Sequence, residues 1–124
     1  MPHLRMYADD DPWLVQLRPV CLALPESTEV EAWGRPTFRA GKMFAIYEGT
    51  DERPATVAVK PDPAEREALL ADPRYFLPAY HGAAGWISYD FLHGSVDRAE
   101  VAELIETSYR QIALKWMLRA LDGC

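Results

Sequence analysis

Basic side chains, the residue type that contacts phosphate, are concentrated in one stretch of this otherwise acidic chain. Residues 35 to 60 carry five basic and three acidic side chains, residues 1 to 34 carry two and six, and residues 61 to 124 carry six and ten. Lysine and arginine supply much of a protein's affinity for nucleic acid by neutralising phosphates. The candidate nucleic-acid contacts are therefore Arg35, Arg39, Lys42 and Lys60. A second interpretation is equally open for Lys60, in which it only ends a strand in water.

A second group of candidates combines large aromatic side chains with a histidine. Loops that contain glycine and proline often position binding residues. The candidates in or beside such loops are Trp33, Tyr80, His81 and Trp86, which could line a cleft for a small ligand. Other large aromatic residues usually fill the interface between sheet and helices. That group is expected to include Phe38, Phe44 and Trp116.

His81 is the residue best suited to proton transfer, because histidine titrates near neutral pH. However, no serine or cysteine lies in a recognised nucleophile motif. The segment from Tyr80 to Trp86 also lacks the GxGxxG spacing and the Lys-Ser/Thr ending of phosphate-binding loops. A loop histidine that hydrogen-bonds to the backbone is the simpler interpretation. We therefore expect no enzyme activity, no catalytic residue and no cofactor.

Metal-binding patterns are also missing from the sequence. The three histidines do not have the spacing of metal ligands, and Cys21 and Cys124 form no CxxC pair. The acidic run Asp9–Asp11 could bind a cation, but it directly precedes a predicted helix, where carboxylates cap the backbone and complement the helix dipole. We expect capping and no metal site.

Length and composition predict one domain spanning residues 1–124. The chain is 49% hydrophobic and 26% charged, with a formal net charge of -6, and a chain of this length can bury an ordinary core without disulfides or metal. Its longest apolar runs, such as residues 43–47, are far shorter than the roughly 20 residues that span a bilayer. The N-terminal residues meet the acidic run before any signal-like apolar segment. These features predict a cytoplasmic protein that does not enter the membrane.

In the first half of the chain, the apolar spacing predicts one helix followed by three strands. The helix should begin after Asp11 and end near Leu24, with a kink or break at Pro19, which lacks a backbone N–H. Residues 26–36 are typical of a turn. Strands over residues 37–40 and 43–48 should form a hairpin, and residues 55–60 a third strand.

In the second half, two helices flank one more strand. A short helix should follow the cap at Asp62 and stop before Pro73, and residues 86–92 should form a strand. A capping-box pattern at residues 97–100 predicts a long terminal helix. Its inner stripe is Val101, Leu104, Ile105, Ser108, Ile112 and Trp116. The predicted fold class is an α+β two-layer sandwich, with helices packed on a mostly antiparallel sheet.

The order of these signals resembles the MmcQ/YjbR family of small bacterial proteins. The resemblance rests on residues 21–26 leading to residues 33–38, on Gly41-Lys42-Met43-Phe44-Ala45, and on Val59-Lys60 before a capped helix. It continues through residues 76–81 and 85–87 to Ser108-Tyr109, so that it covers about 100 of the 124 residues. The resemblance implies a frataxin-like (CyaY-like), double-wing arrangement. It also implies DNA binding, because the family fold is similar to the DNA-binding domain of a phage transcription factor.

Two functions follow as expectations. The leading one is a non-enzymatic protein that contacts DNA weakly through the basic hairpin, because an isoelectric point near 5.0 does not favour tight binding to phosphate. With four phosphate contacts, the slope of log affinity against log salt would be about -3.6. The alternative is a module that binds a small ligand or a protein through an aromatic cleft, for which an acidic surface is no handicap.

Overall fold

A computed structural model describes residues 4–123, which form six β-strands and four α-helices. His3 and Cys124, considered above, lie outside the described residues. In chain order the elements are α1 (Pro12–Leu22), β1 (Thr28–Ala32), β2 (Arg35–Ala40), β3 (Lys42–Glu48), β4 (Thr56–Val59), α2 (Arg66–Leu70), β5 (Tyr75–Phe76), β6 (Ile87–Asp90), α3 (Arg98–Ile112) and α4 (Lys115–Leu121).

The strands form one sheet in the order β1-β2-β3-β4-β6-β5, and each neighbouring pair is antiparallel. Helices α1 and α3 pack on one face of this sheet, which we call the helix face. Its core includes Leu14, Leu17, Phe38, Val57, Ile87, Tyr89, Leu104 and Tyr109. The opposite side of the sheet is called the open face. This architecture confirms the predicted α+β class.

The chain between α1 and β2 contains a strand, so the prediction of a turn over residues 26–36 was wrong. Strand β1 pairs with β2 from Thr28 opposite Arg39 to Ala32 opposite Arg35. Only Trp33 and Gly34 form the connection, and both have positive φ (55° and 75°), as a two-residue hairpin turn requires. Strand β1 lies at the edge of the sheet, so its mostly polar side chains are largely exposed. Its sequence therefore lacks the alternation of apolar and polar residues by which a strand is predicted.

Helix α1 begins as predicted. The Asp11 carboxylate accepts hydrogen bonds from the backbone N–H groups of Trp13 and Leu14 and from the Tyr47 hydroxyl. The helix continues through Pro19 to Leu22 without a break.

The terminal helical region is two helices, not one. Helix α3 ends at Ile112, and the two residues that follow are extended, with ψ of 154° each. This turn allows Met117 in α4 to reach the helix-face core, whereas Trp116 is left 47% exposed. The prediction that Trp116 is a core residue was therefore wrong.

A β-bulge in the central hairpin is held by α3. The register of β2 against β3 shifts between Phe38 and Arg39, and this shift leaves Phe44 as the additional residue on β3. The buried Ser108 hydroxyl donates to the Phe44 carbonyl (2.5 Å) and accepts from the Lys60 N–H (2.8 Å). A single side chain therefore satisfies two backbone groups that the bulge and the end of β4 leave unpaired.

Across residues 4–123, each helix is too short or too polar to pass through a lipid bilayer.

Candidate functional site on the open face

A row of small and apolar side chains crosses the middle of the open face. Thr37 in β2 lies opposite Ile46, which in turn lies opposite Ala58 in β4, and Ala58 lies opposite Ser88 in β6. All four are almost completely buried, and Ile46 and Ala58 pack with Trp86, Met43 and the α3 residue Ile112. The neighbouring residues of the open face must therefore cover them.

The cover comes from residues 77–86, which we call the crossing segment. Pro78 and Trp86 in this segment are buried, and the His81 ring lies 5.5 Å from the Trp86 ring and 6.4 Å from the Trp33 ring, between centroids. Trp33 belongs to the β1-β2 turn, whereas Trp86 directly precedes β6. The crossing segment therefore reaches over the sheet from β6 towards the β1-β2 turn.

The side chain of Arg66, at the start of α2, fixes the crossing segment from the side. Its guanidinium donates to the carbonyls of Gly85 (3.2 Å) and Gly82 (3.3 Å). These bonds hold a short 3-10 turn, Gly82–Ala84, in place. The backbone of the segment is thereby ordered, and its exposed side chains, such as Tyr80, remain available for binding.

Strand alternation separates the four predicted nucleic-acid contacts into two groups. Arg35 and Arg39 lie on the open face with Thr37, and Lys60 comes next to Val59, so alternation places it on the open face at the end of β4. Lys42, in contrast, lies opposite the core residue Ala40 and is therefore on the helix-face side, at the tip of the hairpin. The structure brings three of the four cations to one face.

The side chain of Arg39 is fixed by a neighbour on the same strand. Its Nε donates to the Thr37 hydroxyl at 3.1 Å, and that hydroxyl donates to the Val30 carbonyl at 2.5 Å. The remaining guanidinium nitrogens of Arg39 are available to an anion. Arg39 is partly exposed, as a contact residue must be.

Arg35 belongs to a cluster with a carboxylate and a histidine. Because Thr37 lies opposite Ile46, the next antiparallel pair on this face is Arg35 with Glu48. Burial raises the pKa of Glu48, while the nearby charges of Arg35 and His81 oppose this shift. Arg35 also donates to the Gly49 carbonyl at 3.0 Å. The cluster thus brings Glu48 and Arg35 of the sheet close to His81 of the crossing segment.

The four predicted aromatic-cleft residues differ in position. Trp33, His81 and Trp86 form a continuous row, in which Trp86 is 7% exposed and packs with Ile46 and Ala58. Trp33 is 49% exposed and Tyr80 is 90% exposed. The structure therefore offers two accessible rings, Trp33 and Tyr80, and one buried ring, Trp86.

The conformation of Trp33 is unusual for a tryptophan. A positive φ is costly for a bulky residue that is not glycine, and such strain is often found at functional sites. The turn is held from outside, because the Met6 N–H donates to the Gly34 carbonyl at 2.8 Å. A side chain at Gly34 would collide with the Leu4 carbonyl, at 2.0 Å from an added Cβ. These contacts hold the backbone from which the half-exposed Trp33 ring projects.

The three candidate cations of the open face form no ion pairs within the described residues. Arg35, Arg39 and Lys60 take part in none of the ion pairs formed within residues 4–123, and the register places Glu48 opposite Arg35. Another open-face carboxylate, that of Asp90, is paired with Arg53 at 3.3 Å. Chemically, the open face can attract an anion and stack a planar group beside it.

Several residues of this site were missed by the sequence analysis. Glu48 could have been found from strand alternation, which places it on the same face as Ile46. Arg66 lies far from the crossing segment in sequence, and no sequence pattern connects them. The Ser88 hydroxyl is buried and has no hydrogen-bond partner among residues 4–123, which only the fold shows. Within residues 4–123, no three histidine, cysteine or carboxylate side chains lie close enough together to hold a metal ion.

Comparison with known proteins identifies the family. A model of the YjbR family matches residues 22–111, which is more than two thirds of the chain. The chain belongs to the YjbR family. The match contains all of the open-face residues described above, and it confirms the resemblance that the motif order indicated.

Solved structures with the same fold include two bacterial proteins. The Deinococcus radiodurans protein DR2400, which has a DUF419 domain, is 26% identical, with a TM-score of 0.69 over 98% of this chain and 91% of that one. A protein from Pseudomonas syringae is 20% identical, with a TM-score of 0.58 over 69% of this chain and 86% of that one, and this similarity concerns the fold alone. No curated protein matches the chain.

Proposed function

We propose that this YjbR-family protein binds single-stranded nucleic acid, DNA in particular, on the open face of its sheet. Phosphates would contact Arg35, Arg39 and Lys60, and unpaired bases would stack on Trp33 and Tyr80. Proteins that bind single strands without sequence preference combine cations that follow the backbone with aromatic rings that stack on bases. The protein would act by binding and not by turnover.

One observation carries this proposal. The cations near the hairpin and the aromatic residues of the loops lie on the same face. The sequence analysis had assigned these two groups to alternative functions. The Trp33 ring lies 6.4 Å from the His81 ring, and the charges of Arg35 and His81 both act on the Glu48 carboxylate. A duplex would have been favoured if all four cations shared the hairpin tip, but Lys42 lies on the other side of the sheet.

Fluorescence anisotropy with a labelled thymidine oligonucleotide, in single-stranded and duplex form, tests the proposal at two salt concentrations. With three phosphate contacts, the slope of log affinity against log salt should be about -2 for the single strand. The single strand should bind more tightly than the duplex at each concentration. Equal or tighter binding of the duplex would contradict the proposal.

Two matched pairs of variants locate the interface. Arg39→Gln should weaken binding and reduce the salt slope, whereas Lys42→Gln, one strand away on the other side, should change neither. Likewise Trp33→Ala should weaken binding, whereas Trp116→Ala removes a tryptophan of nearly equal exposure (47% against 49%) on α4 and should have no effect. Equal losses from Arg39→Gln and Lys42→Gln would instead indicate duplex binding by the hairpin tip.

The second candidate function is binding of a small planar anion at the same aromatic row. It is supported by the position of His81 between Trp33 and Trp86 and by the Glu48 carboxylate, on which the charges of Arg35 and His81 act. Oligonucleotide length distinguishes the two candidates. If thymidine monophosphate bound as tightly as a twelve-nucleotide strand, the site would hold a single small ligand, because a strand that crosses the face should gain affinity with each contact.

A further inference from the structure

A groove on the other side of the molecule has the properties of a small-ligand site. It lies between α1, the end of β6 and the start of α3, and its volume is about 390 Å³. This is within the range of about 300–1,000 Å³ that is typical of small-molecule sites. Six of its eight lining residues are apolar: Leu17, Pro19, Val20, Phe91, Val96 and Val101. The other two are Gln16 and Arg98.

The floor of the groove is aromatic and rigid. Phe91 stacks against Trp13, with ring centroids 5.3 Å apart and an angle of 16° between planes. The edge of Phe91 also meets Tyr89 at 5.4 Å and 82°. Because these neighbours fix the Phe91 ring from two directions, the floor needs little ordering when an apolar group binds, and this lowers the entropic cost of binding.

Arg98 is the one charged residue that lines the groove, and the local structure does not explain its charge. It is the first residue of α3, where the helix dipole disfavours a cation. It takes part in none of the ion pairs formed among residues 4–123. Arginine recognises carboxylates through paired, charge-assisted hydrogen bonds. The cation at the rim thus complements an anionic head group whose apolar body lies inside.

We propose that this groove binds a small organic acid, with its apolar body against Phe91 and its carboxylate on Arg98. This site is separate from the open face, because its residues come from α1, α3 and the end of β6 on the helix-face side. The inference therefore stands or falls independently of nucleic-acid binding.

Octanoate and 1-octanol form a matched pair of probes, since they differ only in the head group. Titration of the isotopically labelled protein, followed by amide NMR shifts, should move the signals of Val96 and Val101. Octanoate should bind about tenfold more tightly than 1-octanol, which is the worth of one charge-assisted hydrogen-bonded pair. Equal affinity of the two, or no saturating shifts at these amides, would overturn the proposal.

Arg98→Gln should reduce octanoate affinity about tenfold and leave 1-octanol unchanged, since the side chain is exposed and its loss should not affect folding. The control is Arg119→Gln, because Arg119 is an exposed arginine on α4 that also forms no ion pair within residues 4–123. This variant should change the affinity for neither probe. If both variants lost octanoate affinity, the loss would come from the change in the protein's net charge and not from a contact with Arg98, and the proposed site would be wrong.

Val96→Trp should fill the groove and weaken both probes, with circular dichroism confirming the fold. Sedimentation tests the other possible occupant, a second copy of the chain. If the wild-type protein were a dimer and Val96→Trp made it a monomer, the groove would be an interface between copies and the proposal would be wrong. A monomer in both cases, with the probe results above, supports the organic acid.

Discussion

Replacing Ser108 with alanine should disconnect helix α3 from the central hairpin. The Ser108 hydroxyl donates to the Phe44 carbonyl and accepts from the Lys60 N–H, at 2.5 and 2.8 Å. Both bonds lie at a side chain with no solvent exposure. The alanine variant would leave one backbone acceptor and one backbone donor without partners.

The expected cost follows from these two groups. An unsatisfied buried polar group costs about 1–3 kcal/mol, and the variant also avoids burying the hydroxyl itself. We therefore expect Ser108→Ala to lower the free energy of unfolding by about 2–4 kcal/mol. This is a large share of the roughly 5–15 kcal/mol that a domain of this kind has in total.

Urea denaturation followed by circular dichroism measures this difference. Ser95→Ala is the control, because Ser95 is exposed, and it should stay within about 0.5 kcal/mol of the wild-type value. If Ser108→Ala cost less than about 1 kcal/mol, water or a local shift would be providing hydrogen bonds to the Phe44 carbonyl and the Lys60 N–H. The assigned role of Ser108 would then be wrong.

Three further predictions concern a tryptophan pair, a carboxylate and a helix cap. Trp86→Ala should cost about 3–5 kcal/mol in urea denaturation and Trp116→Ala about 1 kcal/mol or less, because only Trp86 is buried; similar losses would contradict the burial argument. Because burial raises the pKa of Glu48 above the ordinary 4.5, the folded protein binds more protons than the unfolded chain just above that pH, and stability falls as pH rises through this window. The stability of Glu48→Gln relative to wild type in thermal denaturation should therefore increase as the pH rises above about 4.5, and a difference that does not change with pH would refute the shift. Asp11→Ala should cost about 2 kcal/mol by the same urea assay, since it removes a helix cap and the Tyr47 partner, whereas a loss below about 0.5 kcal/mol would show that solvent replaces both.

The residues themselves predict most of the core and the order of the main elements. The cap at Asp11 and the cap at Asp97 are local features, in which a side chain bonds to a backbone N–H two or three residues ahead, so sequence is sufficient to find them. The alternation of Ile87 and Tyr89 towards the helix face was predictable for the same reason. The family resemblance could be recognised because it rests on the order and spacing of short motifs, which does not require many identical residues between two chains.

Elements that depend on distant partners could not be predicted. The polar edge strand β1 exists because β2 pairs with it, and nothing in its own alternation shows a buried side. The capping box at residues 97–100 is only half formed, because the Glu100 carboxylate accepts from Arg74 and Tyr75. The Arg74 guanidinium, from the segment before β5, therefore holds the Glu100 carboxylate away from the helix cap.

The candidate site shows the same division. The sequence by itself determined which side chains are able to contact an anion or stack on a base, because these abilities belong to the residue types. Only the tertiary structure decided that Arg39 and Lys42, three residues apart, face opposite sides, since the bulge and the pleat of the sheet set their directions. It also decided that Trp33 and His81 meet, because their contact depends on a segment that crosses the sheet, and no local interaction encodes that path.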